Sequence, residues 1–147
     1  MLSNTCKYAV RALIYLGNYS KEGEKIGIKK IAGDLDIPTP FLGKILQSLV
    51  KHKILASTKG PNGGFGLGKP ANEITLYEIV KTIDGEDFFM NCLINLEPCS
   101  SNKAKGKPCA VHARFSEVRS ALMEFYSQTT IAVVTADMKG HEDLIKI

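Results

Sequence analysis

The chain contains no apolar run near the ~20 residues that a membrane span requires, and no internal repeat. Its opening stretch, MLSNTCKYAVRALIYLG, is interrupted by Lys7 and Arg11, which excludes a signal-peptide core. Neither sign of charge dominates: 19 Lys and Arg against 15 Asp and Glu leave a formal charge of +4. That mildly basic balance permits nucleic-acid binding without demanding it. Without an export signal the expected compartment is the reducing cytoplasm, where disulfide frameworks do not persist and clustered thiols point to metal or redox chemistry. What is present is an ordinary globular composition, 44% hydrophobic and 23% charged in 147 residues. It suffices for one well-buried domain with an appended element.

Helical spacing begins at once. Ala9, Val10, Leu13, Ile14 and Leu16 recur around polar Lys7, Arg11 and Asn18, predicting an amphipathic helix. After a loop marked by Gly23 and Gly27, Ile28, Ile31, Ala32 and Leu35 lie on one face of a short helix, and DIP (36–38) turns the chain. The next helix is expected to be capped by Thr39 with Pro40 at its first position. Leu42, Ile45, Leu46 and Leu49 point inward, whereas Pro40, Lys44, Gln47 and Lys51 share the opposite face. A short helix, a tight turn and a second helix with a basic, polar outer face are the parts of a helix-turn-helix.

A strand-like ILAST (54–58), a glycine-rich KGPNGG (59–64) carrying Lys59 and Asn62, and a return strand FGLG (65–68) follow. A hairpin in that place makes a winged helix, its flexible tip suited to phosphates or a minor groove. ITLYEIV (74–80) opens another helix: Thr75 and Glu78 have capping-box spacing, and Ile74 and Ile79 form a hydrophobic staple around them. Gly85 is expected to end it. Further on, Val111, Phe115, Val118, Leu122 and Phe125 step by four, three, four and three, the seam of a helix that packs against a partner helix or, over only about two heptads, on the core of its own chain. So little chain remains to cover that seam that a homodimer is expected, with Phe115, Val118, Leu122 and Phe125 at its interface. Thr129 or Thr130 would cap a last short helix, and the tail after Gly140 reads as loose.

Between these helices lies CLINLEPCSSNKAKGKPCAVH (92–112), in which Cys92, Cys99, Cys109 and His112 are spaced C-x6-C-x9-C-x2-H. Four soft or borderline ligands on loop-rich chain can wrap one inorganic centre, and Cys109 and His112 project from the same side of a helix start. Three cysteines and a histidine would suit structural zinc, although zinc sites usually have closer C-x2-4-C pairs than occur here. A metal-free thiol switch would use the same cysteines. An enzyme with Cys109 as nucleophile and His112 as base lacks any oxyanion arrangement, so no enzymatic activity is expected.

The order of elements, together with KYAVRALIYL (7–16), IKKIAGDLDIPTPFLGKIL (28–46), KGPNGGFGLGKP (59–70) and ITLYEIVKTIDG (74–85), resembles the Rrf-two family of bacterial winged-helix transcription regulators, and within it the IscR-like, iron–sulfur cluster-binding branch. The resemblance spans roughly residues 2–136. It implies a mainly α winged helix-turn-helix protein that binds a two-fold symmetric DNA operator as a homodimer. Thr39, Pro40, Phe41, Lys44, Gln47 and Lys51 would face the major groove, Lys59 in the wing would enter the minor groove, and Asn62 beside it would also contact DNA. It also implies a two-iron, two-sulfur cluster on Cys92, Cys99, Cys109 and His112. The nitric-oxide-sensing branch instead takes a carboxylate near the N-terminus, where Thr5, Cys6, Lys7 and Tyr8 stand here. Cysteine regulators of the CymR type lack the cluster cysteines altogether. Where the IscR-like branch has a glutamate in its recognition helix, this chain has Gly43, so operator sequence does not carry over. The expected organisation is a DNA-binding domain (1–85), a cysteine-rich cofactor loop (86–112), a dimerisation helix with a short terminal helix (113–137) and a loose tail (138–147).

Overall fold

The computed structural model describes residues 2–20, 23–94 and 110–141. Helix α1 (Asn4–Tyr19) starts at Ser3, whose hydroxyl accepts the Cys6 N–H at 3.0 Å. It buries Cys6, Ala9, Ala12, Leu13, Ile14, Tyr15 and Leu16 and forms the centre of the core. Helix α2 (Ile28–Leu35) ends at Asp36, whose left-handed φ of 54° makes the tight turn. Helix α3 (Thr39–Lys51) then buries Leu42, Ile45, Leu46 and Leu49, as their spacing predicts.

The start of α3 differs from expectation by one residue. Pro38, not Thr39, occupies the cap position, and no side chain caps the helix. The Pro38 carbonyl accepts the N–H groups of Phe41 and Leu42, each at 3.0 Å. Pro38 and Pro40 carry no N–H, so Thr39 alone is left with a first-turn donor to satisfy. A hydroxyl cap would have almost nothing to do there.

Strands β1 (Leu55–Thr58) and β2 (Gly64–Leu67) pair antiparallel, with Leu55 opposite Leu67 and Thr58 opposite Gly64. A third partner was not legible in the sequence: Ile26 and Phe65 exchange two backbone hydrogen bonds of 2.9 Å, adding a one-residue edge to the hairpin. This close approach explains Gly64, where a Cβ would lie 2.3 Å from the Ile26 carbonyl oxygen. At the tip, Gly60 takes φ +110°, a conformation that L side chains rarely adopt.

After a 3-10 turn (Ala71–Glu73), helix α4 (Leu76–Ile83) begins where expected. Thr75 Oγ1 accepts the Glu78 N–H at 3.2 Å, and Ile74 and Ile79 are both fully buried. The Glu78 carboxylate is engaged by Lys69 at 2.7 Å. Gly85, at φ +86°, follows the last turn. The chain then forms a one-turn helix α5 (Asp87–Met90), a long helix α6 (His112–Gln128) and a final helix α7 (Ile131–Asp137), which is capped by Thr130 through the Val133 N–H. Thr75 and Thr130 form an isolated bridge, with Leu76 N–H donating to Thr129 and Ile131 N–H to Ile74, both at 2.9 Å. Helix α7 thereby returns to α1, where Ile131 and Thr135 approach Gly17. Among the described residues, no helix is long and apolar enough to cross a membrane.

Candidate nucleic-acid interface and cysteine-bearing segment

Helix α3 is exposed along the stripe that its sequence marks. Pro40, Phe41, Lys44, Gln47 and Lys51 face outward, with Thr39 half-buried at its start. Phe41 is restrained, its ring edge-on to Tyr8 of α1 with centroids 5.5 Å apart. Gly43 does not lie open: a Cβ there would meet Ile28 Cδ1 at 3.3 Å, so its smallness serves the approach of α2 to α3. On the wing, Lys59 and Asn62 are both exposed.

Between α3, the start of α2 and the hairpin runs a cleft of about 700 Å³. Its polar lining comprises Lys29, Gln47, Ser57, Thr58 and Lys59, over a floor that includes Val50 and Phe65, and no carboxylate appears among the described residues that line it. Three lysines elsewhere are paired: Lys30 with Asp34 at 3.0 Å, Lys69 with Glu78 at 2.7 Å, and Lys81 with Glu86. Among the described residues, no carboxylate pairs with Lys29, Lys44, Lys51 or Lys59. Sequence reasoning named Gln47 and Lys59 here but missed Lys29, Ser57 and Thr58. Lys29 lies on α2, and only the fold brings it opposite the wing.

Of the four expected cofactor ligands, Cys99 and Cys109 lie outside the described residues. Cys92 is buried, at 9% exposure, just after α5, and His112 is the half-buried first residue of α6. Arg119 Nη2 donates to the Asn91 carbonyl at 2.9 Å, which holds the chain beside Cys92 against α6. Arg119 and His112 are seven positions apart, two turns on one helix face. Those two turns span about 10 Å of helix axis, and a thiol plus an imidazole is the donor chemistry that an iron–sulfur cluster or zinc accepts. In donor chemistry the described part of the set fits such a centre. Among the described residues alone, no group of three metal-ligating side chains converges.

Aromatic packing fixes where the cysteine segment departs. Phe89, 2% exposed, meets Tyr77 of α4 at 5.1 Å, Phe88 at 4.8 Å and Tyr126 of α6 at 5.3 Å between centroids. Cys6 belongs to the core instead. Burial, aided by the nearby Asp84 carboxylate, pushes its thiol up to about 12, so it stays protonated and is a poor ligand.

Helix α6 buries none of its residues. Met123 and Tyr126 pack inward on the core, while Val118 and Phe125 are 59% and 56% exposed. Phe115 and Leu122 are half-buried, and Arg119 lies over the Phe115 ring at 5.0 Å.

A helix-turn-helix followed directly by a β-hairpin, with an outward basic face on the second helix, defines a winged-helix DNA-binding protein of mainly α class. The chain belongs to the Rrf2 family of transcriptional regulators: residues 2–137 match the family described as "Iron-dependent Transcriptional regulator". It is 34% identical over 131 residues to an HTH-type transcriptional regulator of Aquifex aeolicus, covering 89% of this chain and 88% of that one. To the HTH-type transcriptional regulator IscR of Pectobacterium carotovorum it is 27% identical over 130 residues, 88% of this chain and 76% of the relative. Among solved structures it resembles CymR, the global cysteine regulator of B. subtilis, with a TM-score of 0.74 at 19% identity over 92% of this chain and 96% of that one. It also resembles T. potens IscR, with a TM-score of 0.69 at 18% identity over 93% and 87%. At such identities the structural likeness speaks for the fold alone.

Proposed function

We propose that this chain is a cytoplasmic, homodimeric regulator whose binding to a duplex DNA operator is modulated by an iron–sulfur cluster on Cys92, Cys99, Cys109 and His112, of the two-iron, two-sulfur type. The observation that carries this reading is the position of Cys92, buried beside α6 at the junction of the DNA-binding body and the long helix. Such a cluster supplies a redox-labile centre, and an imidazole ligand raises its potential relative to four thiolates. Cys92 leaves α5, which is anchored by Phe89, while His112 opens α6. Ligands drawn from both ends of the segment would tie the body to the helix that bears the exposed apolar stripe. Ligation would thus bias how two DNA-binding units are held relative to each other.

The visible spectrum and iron and sulfide content of anaerobically reconstituted protein test this reading. Cys92→Ala, Cys99→Ala or Cys109→Ala is expected to abolish the cluster, His112→Ala to leave a weaker one, and His112→Cys to retain one of lower potential. Stoichiometric zinc without iron would replace the cluster with a structural metal. Iron loading indifferent to all four substitutions would leave the thiol switch.

A further inference from the structure

The two grooves of B-DNA are separated by a single sugar–phosphate strand. A helix in the major groove and a wing tip in the adjacent minor groove must therefore straddle that strand, and whatever space lies between them must accept it. In this protein that space is the cleft of about 700 Å³ between α3 and the hairpin. Three elements supply its polar groups: Lys29 from α2, Gln47 from α3, and Ser57, Thr58 and Lys59 from the wing. Each can donate a hydrogen bond to a phosphate oxygen. A chain with 15 carboxylates places none among the described residues that line this cleft. Lys29 and Lys59 also have no carboxylate partner among the described residues, whereas neighbouring Lys30 is held by Asp34.

We propose that this cleft is a phosphate cradle for one strand of the operator, with Lys29 as its cationic clamp and the Ser57 and Thr58 hydroxyls as its neutral donors. The inference rests on the DNA-binding reading and adds to it residues outside the recognition face and the wing tip. A clamp of this kind sets register and affinity and carries no base preference.

Counterion release provides the readout. Each cation that neutralises a phosphate contributes about 0.9 to the slope of log K against log salt, so a dimer losing both copies of Lys29 loses nearly two. Full-length protein would be titrated against a duplex selected from a random pool and against an unrelated duplex, at several salt concentrations. Lys29→Ala is expected to reduce the slope by that amount and to weaken both duplexes by the same factor. Lys30→Ala is expected to leave the slope unchanged. Ser57→Ala combined with Thr58→Val is expected to weaken binding with no change of slope, because neutral donors displace no ions. Ethylation interference should lose one phosphate per half-site in Lys29→Ala. If Lys44→Ala and Lys59→Ala weaken binding while Lys29→Ala changes neither slope nor footprint, the cradle is wrong and the regulator reading stands. A parent protein that binds no duplex overturns both.

Discussion

Helices α1 and α6 are nearly equal in length, 16 and 17 residues, and both carry apolar side chains at helical spacing, yet seven residues of the first are buried and none of the second is. The difference is one of surroundings. Helix α1 lies among α2, α3, α4, α7 and the hairpin, whereas among the described residues α6 packs mainly on α4 and α5. Met123 and Tyr126 use that face, and Val118 and Phe125 remain outside it. An apolar repeat therefore says that a helix will pack, and leaves open whether the cover comes from its own chain or from a second copy.

The sharpest way to break the comparison is to treat both helices alike. Leu13→Ala, at the fully buried centre of α1, is expected to cost about 2–5 kcal/mol in urea unfolding, a large share of a domain's stability. Val118→Glu with Leu122→Glu on α6 should leave the far-ultraviolet circular dichroism of the folded chain intact and abolish association in sedimentation. Operator affinity should then fall on the order of 100-fold through lost bivalency. Dimers that persist would mean that the interface lies away from this stripe. The smallest effect is expected at the joint between the two regions. Thr130→Ala removes the hydroxyl that accepts the Val133 N–H and should cost about 1 kcal/mol, read as a lowered denaturation midpoint with an unchanged slope.

Local chemistry was the legible part of this fold. The Thr75 cap, the buried Ile74 and Ile79 beside it, a cap at Thr129 or Thr130 (Thr130 in the fold) and the inward faces of α1 and α3 each depend on residues within a few positions of one another. Long-range pairing was not legible. Nothing around Ile26 announces that it will bond to Phe65, so the wing glycines read as looseness when Gly64 is in fact required by a backbone passing too close for a Cβ. The surroundings of Gly43 were hidden for a related reason, since a Cβ there would meet Ile28 on another helix. The exposed polar stripe of α3 was readable because it is periodic on one helix. The position of Lys29 was not, because only the folded hairpin brings it across the cleft from the wing.

The short bridge between Thr75 and Thr130 gives α6 the mechanics of a lever. Two hydrogen bonds of 2.9 Å pin the chain on either side of Thr130 to the start of α4, and from that fulcrum the helix extends about 25 Å to His112. A tilt of about 5° displaces the far end by roughly 2 Å while Phe125, about 6 Å from the pivot, moves roughly 0.5 Å. A rotation about that point would be magnified at the end that carries His112, opposed on the way by the Arg119–Asn91 hydrogen bond, and nearly cancelled where α6 meets the body through Tyr126.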